Sequence, residues 1–127
     1  MRTNDQDPTG AELEILHILW EKYPRSVKEV HDILACKKDV GYTTTLKIMQ
    51  NMLAKRIVTR ENKGRGHVYS PNIKKSETQQ KLVNRFLKAT FEGSAGSLVM
   101  QVLGNHKPST DELNKIKEII KQIEKNS

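Results

Sequence analysis

Apolar residues in this chain recur in short periodic blocks, and the period changes once, near Ile57. Before that point the spacing is helical. Leu13, Ile15, Leu16, Leu19 and Trp20 make a broad apolar face over Gly10 to Lys22, closed by Tyr23-Pro24. Val27, Val30, Ile33 and Leu34 make a second face over Val27 to Ala35. In a third helix, Thr43 to Arg56, the residues Leu46, Met49, Leu53 and Ile57 fall within one stripe. Then two β-prone runs, Ile57 to Glu61 and His67 to Ser70, flank Asn62-Lys63-Gly64-Arg65-Gly66. Glycines there suit a tight hairpin, and Pro71 ends the second strand. Beyond Ile73 the helical period returns. Leu82, Val83, Phe86, Leu87 and Phe91 share a face over Thr78 to Phe91. Leu98 to Leu103 is apolar nearly all round and ends at Gly104. Leu113, Ile116, Ile120 and Ile123, with Ile119 beside them, line a last helix from Asp111 to Lys125.

Four helix starts carry a further signal. Thr9, Ser26, Ser76 and Ser109 are each followed three residues later by Glu12, Glu29, Gln79 or Glu112. In that spacing the hydroxyl and the carboxylate or amide satisfy each other's backbone N–H groups.

Three helices followed by a hairpin is the order of a winged helix-turn-helix. The expected fold is therefore mainly α with a small β-hairpin wing, followed by a C-terminal three-helix dimerisation segment. Residues 1–73 are expected to bind DNA and residues 74–127 to dimerise, with the boundary between Ser70 and Ser76. Three short helices cannot bury their own apolar faces. A second copy would cover Leu82, Phe86, Leu98, Val99, Val102, Leu113, Ile116, Ile120 and Ile123. The alternative is that these helices fold back onto the winged helix of their own chain.

Charge narrows the partner. Between Val40 and Lys75 there are eight basic residues (Lys47, Lys55, Arg56, Arg60, Lys63, Arg65, Lys74 and Lys75) and one acid, Glu61, which accounts for the whole net charge of +7. Such concentration implies a polyanion. Hydrophobic residues are 35% of the chain and aromatics 5%, too few for a base-stacking platform or the aromatic anchors of a membrane-surface helix. No apolar run is long enough to span a bilayer, and the first seven residues are polar, so no stable membrane association and a cytoplasmic location are expected.

Enzymatic chemistry finds no footing. One cysteine, Cys36, excludes an intrachain disulfide and is read as a small filler at a helix end. His17, His31, His67 and His106 lack metal-ligand spacing, and Gly93-Ser94-Ala95-Gly96-Ser97 is not a nucleophile elbow. The expectation is no enzyme, no cofactor and no metal.

The third helix is the candidate reader. Opposite its apolar stripe, Thr44, Lys47, Ile48, Asn51 and Lys55 are expected outward, where hydroxyl, amide and ammonium groups suit base edges and phosphates. Ile48 suits a thymine methyl, or alternatively a contact with the wing or dimer. Thr43, Thr44 and Thr45 add hydroxyls and free amides at the helix N-terminus. Lys63 and Arg65 at the hairpin tip suit the backbone or minor groove. A winged-helix adaptor binding an acidic protein is the alternative.

The ordered set Thr9-Gly10-Ala11-Glu12-Leu13-Glu14-Ile15-Leu16…Leu19-Trp20, Gly41-Tyr42-Thr43-Thr44-Thr45-Leu46, Gly64-Arg65-Gly66-His67-Val68-Tyr69-Ser70-Pro71 and Gly93…Ser97-Leu98-Val99 resembles the penicillinase-repressor (BlaI/MecI) family over nearly the whole chain. The resemblance implies a homodimeric repressor on a pseudo-palindromic, double-stranded DNA operator. It also implies release when a membrane sensor–metalloprotease triggers cleavage in the C-terminal part. Thr43, Thr44, Lys47 and Arg65 match the family's DNA-contacting helix and wing. Tyr42 stands where many members have tryptophan. Gln101-Val102, the candidate cleavage position, stands where penicillinase repressors have an Asn-Phe pair. The cysteine-rich tail of copper-responsive relatives is missing.

Overall fold

Side-chain caps start most of the helices in the computed structural model, which describes residues 7–127; residues 1–6 of the polar N-terminal stretch lie outside it. Thr9, Ser26 and Ser109 each form the reciprocal box with Glu12, Glu29 and Glu112, opening α1 (Gly10–Glu21), α2 (Val27–Ala35) and α6 (Thr110–Lys125). The fourth expected box is not the start of its helix. α4 (Lys75–Phe91) begins one residue before Ser76, and both the amide and the hydroxyl of Thr78 donate to the Lys74 carbonyl. α5 (Ala95–Asn105) is capped by Ser94 and continues through Gly104.

α3 (Tyr42–Ala54) ends by reversing the chain. Ile57 N–H donates to Met52 O at 3.1 Å and Arg56 N–H to Leu53 O at 3.0 Å, with Arg56 in the left-handed region at φ 66. The Asn72 side-chain amide holds that turn by donating to Arg56 O at 2.8 Å.

The reversal feeds the antiparallel hairpin of β1 (Val58–Lys63) and β2 (Gly66–Pro71), registered from Val58 opposite Pro71 to Lys63 opposite Gly66. Only Gly64 and Arg65 remain in the turn, so the strands run further than the five-residue connector suggested. Of those two residues only Gly64 has positive φ, 60°, the first central position of a type II′ turn. Arg25, between α1 and α2, adds an isolated bridge on the other edge of β2 through paired backbone bonds with Tyr69. A lone bridging residue has no alternating pattern, and the sequence reading missed it.

The core of this region comes from α1 to β2: Ile15, Leu16, Ile18, Leu19, Val30, Leu34, Met49, Met52, Val58 and Tyr69 among others. Trp20 packs partly buried and its indole N–H donates to Ile73 O at 3.0 Å. Chain contacts divide the protein into two units, the first ending at Leu82 and the second Val83–Ser127. The division falls inside α4, nine residues beyond residue 73, because the first turns of α4 bury Thr78 and place Lys81 3.5 Å from Asp7. Leu82 therefore sits half-buried in the first unit, beside Asp7 and Pro8, and not in the C-terminal unit where it was expected. The second unit, taken alone, buries no residue. Phe86 and Phe91 pair there with ring centroids 6.0 Å apart.

Candidate nucleic-acid interface

The face that α3 turns outward is set by what it turns inward. The expected buried stripe ran through Leu46, Met49, Leu53 and Ile57. The observed one is Thr45, Met49 and Met52, with Leu46, Ile48 and Leu53 half-buried on its flanks. At 100° per residue this turns the helix by roughly 80° from the expected face. A polar residue causes the difference. Thr45 is fully buried, and its hydroxyl is satisfied by His31 Nδ1 at 2.9 Å and by Gly41 O at 3.4 Å. Hydrogen-bonded on both sides, it sits in the core at little cost.

Three expected contact residues move inward as a result. Thr45 is a core residue with no hydroxyl left for a phosphate. Ile48 packs against the core. Lys55 is half-buried and bound into the fold: its ammonium lies 2.7 Å from Glu12, itself buried, and donates to Asp7 O at 3.2 Å. Thr43, Thr44, Lys47 and Asn51 are exposed, and Gln50 and Ala54 join them. Gln50 was missed. It lies on one ridge with Thr43 and Lys47, a row visible only once Thr45 is placed inside.

The N-terminus of α3 differs from its neighbours. Gly41 is its N-cap and offers no side-chain bond, so the first-turn amides stay open to an outside acceptor, an arrangement that favours anions. Tyr42 is exposed and stands edge-on to the ring of His31, centroids 5.5 Å apart. In the hairpin, Lys63 and Arg65 are exposed at the tip. Since Val58 and Tyr69 are buried and paired residues share a face, Arg60, Asn62 and His67 lie on the hairpin face turned toward the helices, with Glu61 on the other.

Cys36 is not a filler. It caps the C-terminus of α2, exposed, with its thiol donating to Asp32 O at 3.3 Å. Ser94 of the glycine-serine run serves as the N-cap of α5. Among the described residues, no three His, Cys, Asp or Glu side chains are grouped to hold a metal ion.

In the second unit, Phe86, Val99, Val102, Leu113, Ile120 and Ile123 are exposed, while Leu98 and Ile116 are half-buried. Gln101 and Val102 lie on exposed turns of α5, so the candidate cleavage position is not buried within one chain.

The family model for penicillinase repressors matches residues 8–122. The chain belongs to that family. It is a transcriptional repressor and not an enzyme. The chain is 26% identical over 115 residues to a penicillinase repressor of Staphylococcus aureus, covering 91% of each chain. It is 26% identical over 114 residues to that of Bacillus licheniformis, covering 90% of this chain and 89% of the relative. The methicillin resistance regulatory protein MecI of S. aureus strain N315 is 21% identical over 112 residues, covering 88% and 91%. No helix among the described residues of this repressor is long and apolar enough to cross a membrane.

Proposed function

We propose that this repressor acts as a homodimer on a pseudo-palindromic operator. Each copy sets α3 in a major groove and lays its wing along the backbone. The observation that carries the reading is an uncapped helix start with an exposed row of Thr43, Thr44, Lys47 and Asn51, on a helix whose Tyr42 and Gln50 share a groove with Arg60, Gly66 and His67 of the hairpin that carries Lys63 and Arg65 at its tip. Thr44 and Asn51 have the donors and acceptors for base edges. Lys47 pairs with phosphate or guanine, and Lys63 and Arg65 neutralise backbone charge. Dimerisation is supported by a second unit that leaves Phe86, Val99, Leu113, Ile120 and Ile123 exposed, more apolar surface than a lone unit keeps without a partner.

Release by proteolysis, triggered by a membrane sensor–metalloprotease, follows the family's pattern and would act near Gln101-Val102. In the dimer a partner copy covers α5, so cutting there requires local opening.

The test is duplex titration. Thr44→Ala or Asn51→Ala should weaken specific binding by about 1–3 kcal/mol and spare nonspecific affinity. Lys63→Ala with Arg65→Ala should weaken both and lower the salt slope by about 0.9 for each phosphate no longer neutralised. Preference for single strands or RNA over duplex would sink the reading.

A further inference from the structure

A groove of about 370 Å³ runs between the hairpin and the first turns of α2 and α3. Its walls include Lys28, Tyr42, Gln50, Arg60, His67 and Tyr69, and none of its lining residues is acidic. We propose that this groove seats a backbone phosphate of the duplex, gripped by Arg60 and Lys28, and that His67 tightens the grip as pH falls. The proposal rests on the duplex-binding reading above and extends it to residues outside the recognition row and the wing tip.

Position makes the case. Arg60 and His67 lie on the hairpin face turned toward the helices, Arg60 opposite Tyr69 and His67 opposite Asn62 in the strand register. Gln50, from the outward ridge of α3, supplies an amide to the opposite wall. The groove therefore lies between the two elements assigned to the duplex, where a strand leaving the major groove toward the wing has to pass.

The surrounding charges favour an anion. From α2, Lys28 lines the groove with its side chain largely exposed and pairs with Asp32 at 3.0 Å, a surface pair that a phosphate can outcompete. Glu29 on the same helix does not line the groove, and its carboxylate is engaged by the N–H of Ser26, a residue of the groove wall, at 2.8 Å. Arg25, backbone-paired to Tyr69, points its Nε–H at Lys22 O. Of the α3 residues that line the groove, Tyr42, Leu46 and Gln50, only Tyr42 carries an ionisable group, and Arg65 is the sequence neighbour of Gly66 on the hairpin wall. Histidine is the side chain that gains its charge between about pH 8 and 5. On a wall without carboxylates, that charge has a phosphate as its natural counter-ion.

The experiment uses the full chain and a fluorescein-labelled, mixed-sequence duplex, titrated at several salt concentrations near pH 8 and near pH 6. Wild type should bind roughly tenfold tighter at the lower pH, as one charge-assisted hydrogen bond provides. Its salt slope should steepen there by about 0.9 per groove. His67→Gln should flatten the pH dependence while unfolding at the wild-type temperature at both pH values. Arg60→Ala should lower the slope at both. A pH dependence that survives in His67→Gln, or a wild-type affinity that ignores pH, overturns the proposal while leaving duplex binding intact. A chain that binds no duplex at either pH overturns both readings together.

Discussion

The two units of this chain share one kind of sequence and reach opposite outcomes. Both are runs of short amphipathic helices with clear apolar faces. In the first, twelve hydrophobic side chains between Ile15 and Tyr69 are buried. In the second none is, and Met100 and Ile123 remain 70% and 62% exposed. The difference is partners. The first unit has three helices, a hairpin and the start of α4 to close around α1. The second has only the rest of α4 with α5 and α6, and a helix can bury one stripe only if something lies across it. An apolar face in a sequence therefore marks a surface that needs covering, and says nothing of whether its own chain covers it.

The sharpest way to break this comparison is to cut equal-sized pieces from each side. Leu16→Ala, in the fully buried core, should lower unfolding stability by about 2–5 kcal/mol. Ile120→Asp, at a position 48% exposed in the single chain, should leave the first unit folded but turn the proposed dimer into a single chain by sedimentation. Losing the second copy removes an avidity of about 10²–10⁴-fold on the operator. An Ile120→Asp protein that still sediments as two chains places the dimer contact elsewhere.

The next contrast lies along α3 and its C-cap, between two lysines that the sequence alone treats alike. Lys55 neutralises Glu12, whose side chain is only 5% exposed. Lys55→Ala leaves that carboxylate uncompensated and should cost about 2–3 kcal/mol, below the full buried-pair range because Lys55 keeps some water. Lys47→Ala, on the outward ridge, should change stability by less than about 0.5 kcal/mol and instead weaken duplex binding. Thermal melts beside titrations of both variants check this. Equal melts for the two would return Lys55 to the outward row.

A smaller effect, of opposite sign, belongs at the end of the same helix. Arg56 holds φ 66, a conformation glycine adopts freely and arginine does not. Arg56→Gly should stabilise the chain by about 0.5–1 kcal/mol if relief of the turn outweighs the added freedom of the unfolded chain. Chemical denaturation reads this directly, and a loss of stability would mean that the added freedom of the unfolded chain, or a contact of the Arg56 side chain, outweighs the relief of the turn.

Much of this was legible in the residues. Three capping boxes fixed three helix starts almost to the residue, because the signal is local and the partners lie three positions apart. The hairpin was legible from its glycines and β-branched strands. What stayed hidden depended on contacts between distant segments. Thr45 reads as polar and outward until His31, fourteen residues earlier, is brought against its hydroxyl. Lys55 reads as one of a basic cluster until Glu12, forty-three residues earlier, lies beside it. Both mistakes turned α3 the same way, and together they hid Gln50 and over-assigned Ile48. The second unit was legible in its pattern, since it has few long-range contacts to hide. The boundary within α4 was not, because it rests on Thr78 and Leu82 packing back against the segment around Asp7.

The finest contrast is between the cap that opens α2 and the cap that α3 lacks, and it can be read by acid. Glu29 has its carboxyl held below the ordinary value of 4.5, chiefly because it accepts the Ser26 backbone N–H. Burial, the next largest influence, works against this shift, while the Ser26 hydroxyl and the charges of Arg25 and Lys22 add to it. A carboxyl whose folded value is depressed contributes stability that is complete above the unfolded value and fades as pH falls through the folded one. Glu29→Gln keeps an oxygen for the Ser26 N–H, as glutamine serves in such boxes, but carries no charge. The variant should therefore melt slightly below wild type at neutral pH, and the gap should close as pH falls below 4.5 and through the depressed folded value. Glu29 is exposed and its charge screened, so this is the smallest of the expected effects. At the start of α3, Gly41 offers no cap for acid to remove, and the corresponding Gly41→Ser change should instead supply one and compete with phosphate for the open amides. Melting curves of Glu29→Gln and wild type across pH 7 to 3 decide the first point. A gap that stays constant over that range would show that the Glu29 charge does not stabilise the cap.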